Sequence, residues 1–121
     1  MKTENLVGKT VENINFVEAR GRDKIEMILE TTDGYSYRYY HQQDCCEWVK
    51  IEDIVGEIDD LIGSPIQLAE VMTNNEMAEW NSQTWTFYKF ATSKGYVTVR
   101  WLGESNGYYS EEVNLQVTKR S

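Results

Sequence analysis

The sequence predicts an α+β domain, a mainly antiparallel sheet of about six or seven strands with an acidic helical insertion around residues 47–63. Residues 84–117 are rich in aromatic and β-branched side chains and are divided by two turn signals, Ser93-Lys94 and Asn106-Gly107; such side chains suit a pleated, half-buried surface. Asp33-Gly34 joins two further alternating runs, as a tight hairpin turn does. Between these β regions, Ile51, Ile54, Val55, Ile58, Leu61 and Ile62 recur at helical spacing.

Residues 1–8 are a short lead-in, and residues 9–18 read as a loose strand with Ile14 and Phe16 on one side and Val11 and Val17 on the other. Arg20 to Asp23 reads as a turn. Residues 24–32 form a cleaner strand with Ile25, Met27 and Leu29 inward, returning through 35–41 so that Met27 faces Tyr40 and Ile28 faces Tyr39. The helix that follows turns Glu52, Asp53, Glu57, Asp59 and Asp60 to water, is weakened at Gly56, and stops at Gly63-Ser64-Pro65. Residues 66–72 read as a strand and residues 73–83 as a polar connection containing Trp80.

A two-residue loop at Ser93-Lys94 sets the register of the last hairpins. Phe90 then faces Val97, Tyr88 faces Val99 and Thr86 faces Trp101. The other side carries Trp85, Phe87 and Lys89 against Leu102, Arg100 and Thr98, with Ala91 against Tyr96. Carrying the register through Asn106-Gly107 lays Val113, Leu115 and Val117 beside Tyr96, Thr98 and Arg100, unless a bulge near Gly103 turns that strand over. Both faces of the middle strand are apolar, and one short helix gives little cover, so association between copies is expected.

A chain of 121 residues makes one domain, residues 1–121, able to bury a modest core. Twenty acidic against twelve basic side chains give a net charge of −8, which repels nucleic acid and anionic membranes and favours a basic partner. Residues 1–7 lack the apolar core of a signal peptide, and no apolar run approaches the ~18 residues of a membrane span. Cys45 and Cys46 are neighbours, an awkward pair for a disulfide, and read as thiols in a cytoplasm.

His41, Cys45 and Cys46, with Asp44 or Glu47, are the densest group of reactive types. They lack the spaced cysteine pairs of a structural zinc site, so neither metal nor cofactor is expected. No orienting partner is evident for a cysteine nucleophile, so no catalytic residue is assigned. Lys89 and Arg100 share a predicted face with Trp85, Phe87 and Tyr96. Rings beside a guanidinium suit a base and a phosphate, and Asn106 and Tyr108 in the adjacent turn add hydrogen-bonding groups. The competing assignment makes Lys89 and Arg100 edge cations, or partners of Glu111. A second candidate surface is the acid-rich run Glu52, Asp53, Glu57, Asp59 and Asp60, which would mimic nucleic acid toward a basic protein.

Residues 41–47, continuing to Pro65, and residues 84–111 are two long blocks that together cover much of the chain. On these blocks the sequence resembles a family of small uncharacterised bacteriophage and prophage proteins, classed as a domain of unknown function. The resemblance implies expression in the cytoplasm of an infected bacterium and transfers no catalytic residue. Phage accessory proteins of this size often counter host defence. The expected function is therefore a non-enzymatic anti-defence protein that sequesters a nucleotide-like immune signal. The alternative is an acidic inhibitor that blocks a host defence protein.

Overall fold

The computed structural model describes residues 2–19 and 23–120. Its strands are β1 (Val11–Ala19), β2 (Asp23–Thr31), β3 (Tyr35–Tyr40), β4 (Trp48–Val55), β5 (Leu68–Ala78), β6 (Asn81–Thr92), β7 (Gly95–Ser105) and β8 (Asn114–Lys119). All pair antiparallel in one sheet of order β5-β6-β7-β4-β2-β3-β8, with β1 on β2. The sheet curls into a half-barrel. Of the turn expected at Arg20 to Asp23, only Asp23 falls within the described residues, and it opens β2.

The α+β expectation is overturned: among the described residues there is no α-helix, only 3-10 turns at Thr3–Leu6 and Ile58–Leu61. The segment expected to be a helix, residues 47–63, is β4 followed by the second of these turns. Val49 and Ile51 point into the core at strand spacing, and a register shift between Ile51 and Asp53 then changes the phase. That irregularity imitates a helical period in the sequence. Gly56 has φ +101°, outside the right-handed helical region, and a Cβ there would overlap the carbonyl oxygen of Tyr96. An edge of β7 supplies the backbone partners that make β4 a strand.

The β6–β7 hairpin has the expected register, with Phe90 opposite Val97, Phe87 opposite Arg100 and Ala91 opposite Tyr96. The β2–β3 hairpin is one residue off: Met27 faces Tyr39 and Ile28 faces Arg38. Residues 73–83 are not a polar connection, because β5 continues to Ala78 and pairs with β6 throughout, leaving Trp80 in the tight turn. Nor does β8 lie beside β7. It pairs with β3, Leu115 opposite Tyr39, while β4 takes the free edge of β7.

Because β1 lines one edge of β2 over its whole length, β3 and β4 must share the other. β3 lies opposite Met27 to Glu30, and β4 joins at Lys24. The chain leaves the sheet between them, at residues 41–47. The concave side holds the core, with Met27, Leu29, Tyr37, Tyr39, Tyr88, Phe90, Val99 and Trp101 all buried. Tyr39 meets Tyr88 edge to face at 4.8 Å between centroids. Leu6 from the first 3-10 turn enters this core, and Thr3 Oγ1 lies 3.1 Å from Tyr39 Oη. The N-terminal turn thereby packs against β5 and covers part of this core.

Candidate functional site

The two ends of the strand order, β5 and β8, leave a gap on the concave side. Along β6 the inward face runs Phe90, Tyr88, Thr86, Thr84, Ser82, changing from apolar to hydroxyl toward the β5–β6 turn. Val71, Thr73 and Asn75 of β5 stand opposite Tyr88, Thr86 and Thr84. Residues 110–113, which lead into β8, face this row and make the other wall. The result is an open groove of about 470 Å³ lined by Val71, Thr73, Thr84, Thr86, Tyr88 and residues 110–113. Barrel mouths are common ligand positions.

Glu111 holds this wall in place. It is only 7% exposed, and its Oε1 accepts hydrogen bonds from Thr84 Oγ1 at 2.7 Å and Ser82 Oγ at 3.2 Å. Its Oε2 accepts from Ser105 Oγ. Close approach to β7 depends on Gly103, where a Cβ would lie 2.8 Å from the Glu111 carbonyl oxygen. Asn75 Nδ2 donates to Thr84 Oγ1 at 2.9 Å and completes the hydroxyl row.

A second polar knot lies where β3 and β4 part. Glu47 is 3% exposed; its carboxylate accepts from the amides of Asp44 and Cys45 at 2.8 and 2.9 Å, and from Gln43 Nε2 at 3.2 Å. His41 Nε2 is 2.8 Å from Glu47 Oε2, and His41 Nδ1 is 2.7 Å from the Glu112 carbonyl oxygen. Both ring nitrogens of His41 thus face oxygen atoms, one of the Glu47 carboxylate and one of the Glu112 backbone. Burial pushes the Glu47 carboxyl upward, but the His41 hydrogen bond and the surrounding amides outweigh it and hold the group down at about 2. Gln42 N also donates to Asn114 Oδ1 at 2.9 Å, tying residues 41–47 to the start of β8.

This arrangement changes the role of the cluster containing His41 and the cysteines. Glu47, offered by the sequence as one more acid of the expected helix, is its buried centre. Cys45 and Cys46 were expected as thiols; both are exposed and joined as a disulfide. The compartment argument resting on free thiols therefore loses its footing. Among the described residues no three His, Cys, Asp or Glu side chains are grouped to hold a metal.

The residues singled out for a ligand lie on the opposite face from the groove. Trp85 and Phe87 are half-buried, Lys89 and Tyr96 are exposed, and all share the outward parity of β6 and β7 with Arg100. Arg100 does not pair with Glu111; its Nη2 reaches Glu52 Oε1 at 2.6 Å and Asp53 Oδ2 at 3.8 Å. Asn106 and Tyr108 sit in the β7–β8 connection, where Asn106 Oδ1 accepts from the Tyr108 amide at 3.0 Å. The five surface concavities described have none of these seven residues on their walls. Of the acidic run, Glu52, Asp53, Glu57 and Asp59 are exposed and Asp60 is half-buried.

Because the Arg100 pair is partly exposed, Arg100→Ala is expected to change stability by no more than about 1 kcal/mol in urea denaturation. A larger loss would mean that the buried part of this side chain, not its charge, holds the outer face together.

Sequence reasoning missed the groove. The signal was the alternation Ser82, Thr84, Thr86, Tyr88 against Gln83, Trp85, Phe87, Lys89. It separates a hydroxyl face from an aromatic one, and the aromatic one drew attention.

Fold and groove together define a half-open, all-β antiparallel barrel with a polar mouth. The chain belongs to the family described as Domain of unknown function (DUF7448), whose model matches residues 4–115. That description carries no statement of a phage source. No curated protein and no solved structure matches the chain. No helix among the described residues is long and apolar enough to cross a membrane.

Proposed function

We propose that this is a non-enzymatic binding protein that holds a small polar molecule in the mouth of its half-barrel. The observation that carries this reading is the hydroxyl row of Thr73, Thr84 and Thr86 beside Tyr88, facing the wall built on Glu111 across an open groove. Polar groups fixed on neighbouring strands are preorganised for binding, which lowers the ordering cost of capture. This keeps the class of function expected from the sequence, ligand capture, and moves its site from the outer aromatic face to the inner hydroxyl face. An anti-defence role in an infected cell is compatible with either face and belongs to the same proposal.

The test is backbone amide NMR with pools of neutral, cationic and anionic metabolites. Shifts clustered at Thr73, Thr84, Thr86 and Val113 support the groove. Shifts at Phe87, Lys89 and Arg100, abolished by Arg100→Ala, would return the site to the outer face and to a nucleotide-like ligand.

A second reading is favoured by the solvent-facing acids Glu52, Asp53, Glu57 and Asp59. In it the protein blocks a basic partner protein. Binding of that partner should then weaken with salt and with charge reversal at Glu57 and Asp59; indifference to both removes this reading.

A further inference from the structure

The charge and polarity of the groove wall narrow its ligand, an inference that rests on the small-molecule reading above. The formally charged residues on its wall are Glu111 and Glu112, with no lysine or arginine among them. Glu111 is already held by three hydroxyls, whereas Glu112 is exposed and receives only a long 3.4 Å contact from Asn114 Nδ2. Tyr88 provides a second, independent observation. It lines the groove, is 4% exposed, and makes no hydrogen bond to the described residues. Burial alone raises its phenol pKa, so the hydroxyl stays protonated and its oxygen lone pairs remain available to a donor.

A phosphate or carboxylate entering here would meet like charge with no cation to offset it. A neutral sugar could meet the hydroxyls but would gain nothing from the exposed charge of Glu112, whereas an ammonium would. An ammonium group can donate to Tyr88 Oη, to the threonine hydroxyls and to Glu112, while Val71 and Val113 offer apolar contact to a methylene chain. We infer that the groove bounded by β5, β6 and residues 110–113 is a binding site for a small aliphatic amine, its ammonium at Tyr88 and Glu112 and its alkyl chain between Val71 and Val113.

The experiment titrates the full chain by calorimetry with n-butylammonium and 1,4-diaminobutane, alongside glucose and adenosine monophosphate, repeated with Glu112→Gln and Tyr88→Phe. Both substitutions keep shape, and Tyr88→Phe removes a hydroxyl without a protein partner, so the variants should melt within a few degrees of the parent. The amines are expected to bind, glucose and the nucleotide not. Each substitution should weaken amine binding roughly tenfold or more, the scale of a lost hydrogen bond to a charged group. Amine binding untouched by either substitution, or no amine binding at all, overturns the assignment. Glucose binding that Tyr88→Phe weakens, without amine binding, would overturn the amine assignment while leaving small-molecule capture in the groove intact. If no probe binds and the NMR pools leave the groove amides unmoved, both readings fall together.

Discussion

Replacing Glu47 with alanine is expected to cost the fold about 3 kcal/mol, the scale of leaving buried donors without their acceptor. Most of that loss comes from what is left behind. The amides of Asp44 and Cys45, the Gln43 side chain and the His41 ring would all lose the carboxylate they contact. Urea denaturation should show the midpoint falling, with a drop in melting temperature of roughly 10 °C or more. Glu47→Gln, which keeps one acceptor oxygen, should fall between alanine and the parent. Glu57→Ala on the exposed surface should change little. A Glu47→Ala protein as stable as the parent would show that residues 41–47 can leave the sheet without cost, and that the corner is not held as described.

The same group sets an acid limit. Its folded value of about 2 lies below the ordinary 4.5, so its contribution is fully present above about 4.5 and is lost as pH falls toward 2. Stability measured from pH 6 downward should therefore decline more steeply in the parent than in Glu47→Ala. Parallel curves would remove Glu47 from the account.

Gly103→Ala is expected to be comparably damaging, at about 3 kcal/mol from overpacking and a disturbed carboxylate. The added methyl would sit 2.7 Å from Glu111 Cβ and 2.8 Å from the Glu111 carbonyl oxygen, and backbone cannot yield as a flexible side chain can. Residues 110–113 would have to move away from β7, pulling Glu111 off Ser82, Thr84 and Ser105 and widening the groove. Gly34→Ala provides the control. Gly34 has φ +91° but nothing within 4 Å of a new Cβ, so only the backbone preference, about 1 kcal/mol, is lost. Equal destabilisation of the two variants would show that Glu111 does not press on β7. A Gly103→Ala protein that stays folded but loses ligand capture would tie the 110–113 wall to the function.

How far the sequence could be read follows from the range of the forces involved. The β6–β7 register was legible because a two-residue loop at Ser93-Lys94 ties every cross-strand pair to local geometry. The turn at Asp33-Gly34 was legible too, but its exact register depended on turn geometry and came out one residue off. Residues 47–63 misled because a register shift after Ile51 gives a strand the apolar spacing of a helix, and only the neighbouring edge of β7 decides between them. The long arm of β5 was hidden by its polar composition: most of its residues face solvent, so no alternation marks them.

Local chemistry in the chain was therefore enough for an antiparallel β framework, its final hairpin and its strong negative charge. The tertiary structure alone decided that β8 crosses to β3, that Glu47 and Glu111 are buried hydrogen-bonded centres, and that the Thr84, Thr86, Tyr88 face borders the open mouth. The physical reason is that strand partners and buried carboxylates are chosen by backbone groups far away in sequence. Glu111 reaches Thr84 across 27 positions, and β3 meets β8 with Arg38 touching Gln116 across 78; no local pattern of residues encodes such a choice.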